Sequence, residues 1–503
     1  MKTGKTTFIL IVISIVTKPI NFLKEIIIAA IFGAGLARDA FLVAWQIPNI
    51  IGSFVFEGLP QIFVPWLTEI RQKENYAEIL SSIFNLFALI LLVITILVIL
   101  SSSFLVSIIA PFLSPATEQL AVKLLKIMGF SIFFMGVSAI FTGVIYSYQK
   151  FIIPSLTVPL MSLVIIITVI LGYSKYGIYS LAYGVLIGSL SMVLLQIFQV
   201  KKEKYKPVII IDNELKKFLT FAGSFFLGTL IFNLTTIAEK IFASALSSGS
   251  ISYLDYAFRI VQVIFTVFTP VSIVIFSKLC SLSVNPQGEE EFVNLVTKGL
   301  KTIMFFVLPI VAVLVALRLP LTEIIYERGA FTKIDTVYTS NLIGIYAFGL
   351  IPHSLNFMLI HIFYARKEMI VRIKYSVIFL ITFVFFNIIF IDKFAMYGIA
   401  LANSLSAFIC TGFLAVSTIK RIKISLKEIL NSFYKLLLVS LIVGLITGKI
   451  WDTINLQMNL FSGLLISLTG GASVFFFSVY FLKFPEIKYA KDLIPEIMKK
   501  WKK

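Results

Sequence analysis

Long apolar stretches, each sufficient to cross a bilayer, constrain this chain more than any other feature. They fall at about 7–32, 39–70, 80–112, 119–149, 152–173, 177–200, 215–247, 251–281, 292–318, 335–365, 370–392, 396–419, 428–449 and 459–482. About 20 apolar residues make one helical crossing, and most of these stretches are bounded by Gly, Pro or charge. The pattern predicts an all-α polytopic membrane protein with about 14 transmembrane helices. Composition agrees. Of 503 residues, 59% are hydrophobic and 14% charged, whereas a soluble domain carries about 25% charged residues. A soluble enzyme with one anchor is excluded. So is an outer-membrane barrel, whose strands alternate apolar and polar residues.

The net charge is +18. On a soluble protein that would suggest nucleic acid. Here it fits cytoplasmic loops beside anionic lipid, and no nucleic-acid partner is expected. Cations collect in alternate loops: Arg71–Lys73, Lys201–Lys206, Arg366–Lys374, Lys420–Lys427 and Lys499–Lys503. The other side receives scattered cations, among them Arg38, Lys175, Arg318, Arg328, Lys333, Lys393 and Lys449. The expected topology is therefore multi-pass in the cytoplasmic (inner) membrane with both termini inside. Met1–Lys5 and the following apolar run imitate a signal peptide, but no small-residue cleavage site follows and Lys18, Lys24 and Glu25 intervene. A retained first helix is expected. Cys280 and Cys410 lie in or beside apolar runs, so no disulfide framework is indicated.

A weak internal repeat sets the domain plan. Glu25, Ala29 and Gly35 recur as Glu239, Ala243 and Gly249, and Tyr146 is echoed by Tyr364 at a similar offset. Both echoes join helices of like orientation six crossings apart, a recurring transporter plan. The predicted units are an N-lobe at 1–200, a C-lobe at 201–420, a helix pair at 421–484 and a basic cytoplasmic tail at 485–503. In the tail, Ala490, Leu493, Ile494, Ile497 and Trp501 recur at helical spacing among Lys488, Lys491, Lys499 and Lys500. An interfacial basic helix and a loosely ordered polar tail are both compatible with this.

Ionisable groups inside apolar helices cost several kcal/mol in lipid and must face protein, a partner or water. Three helices carry them as stripes. The first has Lys18, Asn21 and Glu25 on one face with Lys24 beside them; the second has Asp39, Gln46, Asn49, Ser53 and Glu57; the eighth has Asp255, Arg259, Gln262, Thr266 and Thr269. The seventh adds Asn233, Glu239 and Lys240. A hydrated central cavity shared by two lobes accounts for the set economically. Its cations suit an anionic substrate, and Arg259 can grip phosphate oxygens through two parallel hydrogen bonds. Internal pairing of Lys18 or Lys24 with Glu25, Arg259 with Asp255 and Lys240 with Glu239 is the plainer alternative. His353 and His361 lack a third metal ligand nearby in sequence. No HExxH, Walker A, GxSxG or CxxC pattern occurs, so a transporter is expected rather than an enzyme, with energy from a gradient or from the substrate itself.

Ile31-Phe-Gly-Ala-Gly-Leu-Ala-Arg-Asp39-Ala-Phe-Leu-Val-Ala-Trp-Gln-Ile-Pro48-Asn49, then Glu57-Gly58 and Phe63-Val64-Pro65, resembles the MurJ/MviN family. Tyr326-Glu-Arg-Gly-Ala-Phe-Thr332 with Asp335-Thr336 is similar to that family's ERGAFT loop, and Ser248–Ser252 with Tyr256, Ala257 and Arg259 to its eighth-helix entrance. Gly143–Pro154 and Gly398–Ala402 fit as well. These are lipid II flippases of the multidrug/oligosaccharidyl-lipid/polysaccharide exporter superfamily. The resemblance implies two six-helix lobes and a final pair, 428–449 and 459–482, bordering a groove for the lipid tail. It implies alternating-access transport of undecaprenyl-pyrophosphate bearing the disaccharide-pentapeptide of peptidoglycan, with membrane lipids as surroundings and a monomer as the unit. The implied substrate contacts are Lys18, Lys24, Glu25, Asp39, Asn49, Ser53, Glu57 and Arg259. A sodium site known in some relatives would fall on Glu239, Asn387 and Asn403, with sodium or the membrane potential as driving force and no other cofactor.

The departures are local. First-helix arginines are lysines here, the adjacent acid is Glu25, Gly52 and Ser53 stand where arginine is usual, and Phe258 replaces an acid just before Arg259. The competing readings are an exporter of another lipid-linked oligosaccharide and a non-transporting scaffold of cell-wall assembly.

Overall fold

The structure, a computed structural model, describes residues 2–53, 63, 66–67, 75–200, 207–208, 220, 233–266, 269–283, 288–366, 368, 370–422 and 424–486. Glu57, the cation-rich loops 71–73 and 201–206, the first part of the expected 215–247 helix and the tail from 487 lie outside them. Sixteen helices are described: α1 (Lys2–Phe32), α2 (Leu36–Ser53), α3 (Tyr76–Leu100), α4 (Ser102–Ile109), α5 (Pro115–Ser147), α6 (Ile152–Ser155), α7 (Thr157–Tyr176), α8 (Tyr179–Val200), α9 (Ser250–Phe265), α10 (Thr269–Leu282), α11 (Glu289–Ala316), α12 (Arg318–Tyr326), α13 (Lys333–Ala365), α14 (Ile370–Arg421), α15 (Leu426–Ile454) and α16 (Leu460–Phe481). Residues 233–244 are also helical. Among the described residues, nine helices are long and apolar enough to cross a membrane. The protein is an all-helical, multi-span membrane protein.

Two compact units divide the chain. The first holds Met1–Ser252 with Arg328–Phe331, and the second Tyr253–Glu327 with Thr332–Lys503.

In the first unit, α5 is the central helix. Ser114 caps it by accepting from Thr117 N, and Pro115 fills the first turn, where a missing N–H costs nothing. Glycines recur along one face of α5, and the vacant Cβ positions are filled by neighbours. A Cβ on Gly136 would meet Leu91 Cδ1 at 2.3 Å, and one on Gly143 would meet Phe63 Cβ at 2.7 Å. Small residues at such crossings let helices approach closely in lipid. Ile79, Ile83, Phe87 and Leu91 of α3 pack there with Ala139, Ile140 and Val144 of α5. The opposite side of α3 exposes Leu89, Leu92, Val93, Ile96 and Leu97, as a lipid-facing helix should.

In the second unit, α11, α15 and α16 enclose a core of Met304, Phe305, Leu308, Leu436, Val439, Val443, Phe475 and Val479. The continuous α14 is two helices, 370–394 and 396–421, meeting at Ala395, whose backbone leaves the helical region at φ 48°, ψ −129°. The hydropathy pattern expects this break. One other break it does not show. The expected 80–112 helix stops at Leu100 and restarts as α4; the three serines at 101–103 are too mild a polarity to interrupt the apolar run in hydropathy. The expected 292–318 helix ends at Ala316, and the short α12 that follows is an element hydropathy does not show.

A candidate anion-transport site

The first unit gathers its charges where α1 meets α2. Glu25 is 5% exposed, and each of its carboxylate oxygens has a cation. Lys24 Nζ lies 3.2 Å from Oε1, and Arg38 Nη2 donates to Oε2 at 3.2 Å. Arg38 is 1% exposed and its guanidinium also sits 5.3 Å from the Phe41 ring centre, a favourable cation–π distance. The Lys24 side chain keeps 20% of its surface open. Lys18 is exposed. Asn21 accepts a 2.6 Å hydrogen bond from Ser162 Oγ and so joins α1 to α7.

Asp39 holds the turn that opens α9. It accepts from Gly249 N at 2.6 Å, Ser252 N at 2.8 Å and Ser252 Oγ at 2.6 Å. An ionised carboxylate at a helix start satisfies amides that have no partner within the helix. Further along α2, Gln46 Nε2 donates to Thr236 Oγ1 at 2.7 Å, and Asn233 Nδ2 donates to Ser53 Oγ at 3.5 Å. The polar stripe of α2 therefore ties this helix to the stretch 233–252 along much of its length. Asn49, on the same helix, is exposed. Lys240 is 6% exposed and lies 3.7 Å from Glu239.

The loop resembling ERGAFT has a physical reason for its glycine. Ala330 N donates to Ala30 O at 2.7 Å. Gly329, at φ +58°, and Gly33, at φ +60°, lie against this contact. A Cβ on either would meet a carbonyl oxygen, Ala30 O at 2.2 Å and Ala330 O at 2.4 Å respectively. Only glycine adopts that backbone and leaves that space. In the second unit Asp335 completes a capping box with Thr332 and accepts from Tyr253 Oη at 2.6 Å.

The second unit's charged site lies on α9. Arg259 Nε donates to Asp255 Oδ2 at 2.7 Å, and the two side chains keep 29% and 18% of their surface. Gln262 is exposed beside them. Of the suggested sodium ligands, Asn403 Oδ1 faces His353 Nε2 at 3.2 Å and Glu239 faces Lys240. Asn387 is fully buried and donates to Phe383 O, while its Oδ1 has no hydrogen bond. Among the described residues no three His, Cys, Asp or Glu side chains gather as a metal site.

The profile described as Lipid II flippase MurJ matches residues 28–468. The probable lipid II flippase MurJ of Buchnera aphidicola subsp. Schizaphis graminum is 31% identical over 371 residues, covering 71% of this chain and 72% of that protein. The chain belongs to the MurJ family of lipid II flippases. Its relative in Thermosipho africanus, the lipid II flippase MurJ, is 30% identical over 451 residues, 89% of this chain and 92% of that one. A solved MurJ in an inward closed conformation superposes with TM-score 0.83 at 29% identity, covering 95% and 99% of the two chains. An inward-facing multidrug transporter of the MATE family, at 13% identity and TM-score 0.69 over 83% and 98%, shares the fold alone.

The sequence singles out Lys24, Glu25 and Arg259 as charges in apolar helices, whereas Arg38 reads there only as one of the scattered non-cytoplasmic cations; the structure buries it against Glu25. A lone arginine next to an aspartate at a helix start gives no clue in sequence that it reaches back to an acid thirteen residues earlier. Thr236 was likewise missed, because a threonine in an apolar helix has no distinguishing signal.

Proposed function

We infer that the protein moves lipid II across the cytoplasmic membrane by alternating access, with no chemical step. Membership of the MurJ family over residues 28–468 carries this reading. Fourteen crossings, both termini inside and a monomeric unit are part of the proposal.

Diphosphate is an anionic element of the substrate, and each unit taken by itself offers cations that suit it, Lys18 and Lys24 on α1 in one and Arg259 on α9 in the other. Arg259 is oriented through Nε by Asp255, and its planar guanidinium is the group on α9 whose geometry matches two phosphate oxygens. On α1, Glu25 stays neutralised by the buried Arg38. Lys24 can therefore exchange its carboxylate contact for a phosphate without orphaning the acid. Lys18 adds an exposed cation two turns earlier on α1. Net positive charge in the water-filled path offsets the desolvation of the diphosphate.

For the driving force we favour the membrane potential. Moving a negative charge outward is downhill in a cell that is negative inside, by about 2.3 kcal/mol per charge per 100 mV. The Asn403 and Glu239 oxygens suggested for sodium already face His353 and Lys240, and no step is routed through that ion.

Expression in a cell depleted of its own flippase tests the function. Growth is the expected result; absence of growth at good membrane expression would favour a different lipid-linked oligosaccharide or a scaffold role. Topology is tested separately with Ser248→Cys and Gln149→Cys in a background lacking Cys280 and Cys410. An impermeant thiol reagent should label position 248 and not 149 in intact cells; labelling of 149 would overturn the orientation.

A further inference from the structure

From Asp255 onward α9 presents one open arc; the first turn, with Ile251 and Ser252 at similar angles, is buried. At about 100° per residue, with Asp255 as the origin, Gln262 and Phe258 lie about 20° and 60° to one side, Arg259 and Val263 about 40° and 80° to the other. Phe258, Gln262 and Val263 are exposed and Asp255 and Arg259 half-buried, whereas Tyr253, Leu254, Tyr256, Ala257, Ile260 and Val261 are all buried. An arc that holds an acid, a guanidinium and an amide does not face lipid, because each would cost several kcal/mol there. The arc is therefore the hydrated side of the helix, and Phe258 stands on it with 40% of its surface open.

An exposed phenylalanine on a water-facing arc needs an occupant. Its ring meets the buried Tyr346 edge to face, with centres 5.6 Å apart and planes at 69°, so its orientation is fixed while it remains accessible. A pyranose ring suits this shelf. One sugar face is lined with C–H hydrogens bearing partial positive charge, which meet the negative face of an aromatic ring. The hydroxyl rim finds an amide at Gln262, one turn away. Consecutive residues Phe258 and Arg259 would then address consecutive parts of the substrate, since the diphosphate is bonded directly to the first sugar.

We propose that Phe258 determines specificity by stacking on the first sugar ring of the translocated lipid, beside the diphosphate held by Arg259. This rests on the lipid II reading above and assigns a recognition role to a position where the resemblance leads one to expect an acid. An isoprenoid chain is the competing occupant, and it differs in a measurable way because it is common to lipids with and without sugars.

The test uses the full-length protein in nanodiscs and two purified ligands, lipid II and undecaprenyl pyrophosphate. Phe258→Leu keeps an apolar side chain and removes the ring; Phe258→Tyr keeps the ring. The leucine variant should bind lipid II about tenfold more weakly, with undecaprenyl pyrophosphate affinity within about twofold of wild type. The tyrosine variant should retain both affinities. Equal weakening toward both ligands would assign Phe258 to the isoprenoid chain or to packing, and unchanged lipid II binding would remove the role; either overturns the proposal alone. A wild-type protein that binds lipid II no better than undecaprenyl pyrophosphate would defeat the sugar contact. One that binds neither, and supports no growth in the depleted cell, would defeat the lipid II reading with it.

Discussion

The protein carries two acid–cation clusters of similar chemistry in different surroundings. In the first unit, Glu25 is almost fully buried between Lys24 and an Arg38 that is 1% exposed. In the second, Asp255 and Arg259 form an i, i+4 pair at 2.7 Å on an open helical arc. Burial decides what each can do. Separating a buried pair leaves a charge in a low-dielectric environment, whereas a half-buried pair beside water exchanges partners with water or ligand at lower cost. Glu25–Arg38 is therefore a fixed brace. Arg259 is oriented but can still engage a ligand, and Lys24 stands between these extremes.

The contrast breaks first at Arg38. Arg38→Met should destabilise the folded protein by about 3–5 kcal/mol, because Glu25 loses its buried partner. Thermal melting and membrane yield measure this. Glu25→Gln should be damaging too, since it orphans Arg38, and the double variant Arg38→Met/Glu25→Gln should recover much of the loss. A wild-type melting curve for Arg38→Met would show that the brace contributes nothing.

Next is Asp39→Asn, which keeps the shape but removes the charge from an acceptor of three hydrogen bonds. A loss of about 1.5–3 kcal/mol is expected. Smaller again is Gln46→Leu, which removes the 2.7 Å bond to Thr236 and should cost about 1 kcal/mol. A double-mutant cycle with Thr236→Val isolates that contact, and zero coupling would contradict it. Arg259→Ala should destabilise far less than Arg38→Met, because Asp255 keeps 18% of its side chain open on a hydrated arc, and yet transport should fail. A large drop in melting temperature for this variant would move Arg259 into the same class as Arg38.

Much of this architecture is written in hydropathy. The spans 335–365 and 428–449 are found as 333–365 and 426–454, and the break between 392 and 396 falls at Ala395. The interruption at Ser101 was not legible, because three serines barely lower the hydropathy of the run, and α12 after Leu317 was not, because nine residues carrying Arg318 and Glu323 do not read as a span. The site was legible in part. A charge in an apolar helix announces that it has a partner or water nearby, which singled out Lys24, Glu25, Asp39 and Arg259. It does not say which. Asp39 caps the turn at Gly249–Ser252, and Gln46 and Ser53 join helices of one unit; each of these partners lies 180 or more positions away in sequence. Polarity in a membrane helix thus identifies residues under constraint, and burial then separates those that hold the fold from those left open to substrate.

The most direct measurement is the fraction of lipid II exposed on the outer face of cells depleted of their own flippase, read by its susceptibility to an externally added lipid II-cleaving enzyme. Wild-type protein should restore outward exposure, and Arg259→Ala at equal membrane level should not. No restoration by well-expressed wild type, or full restoration by Arg259→Ala, would contradict the account.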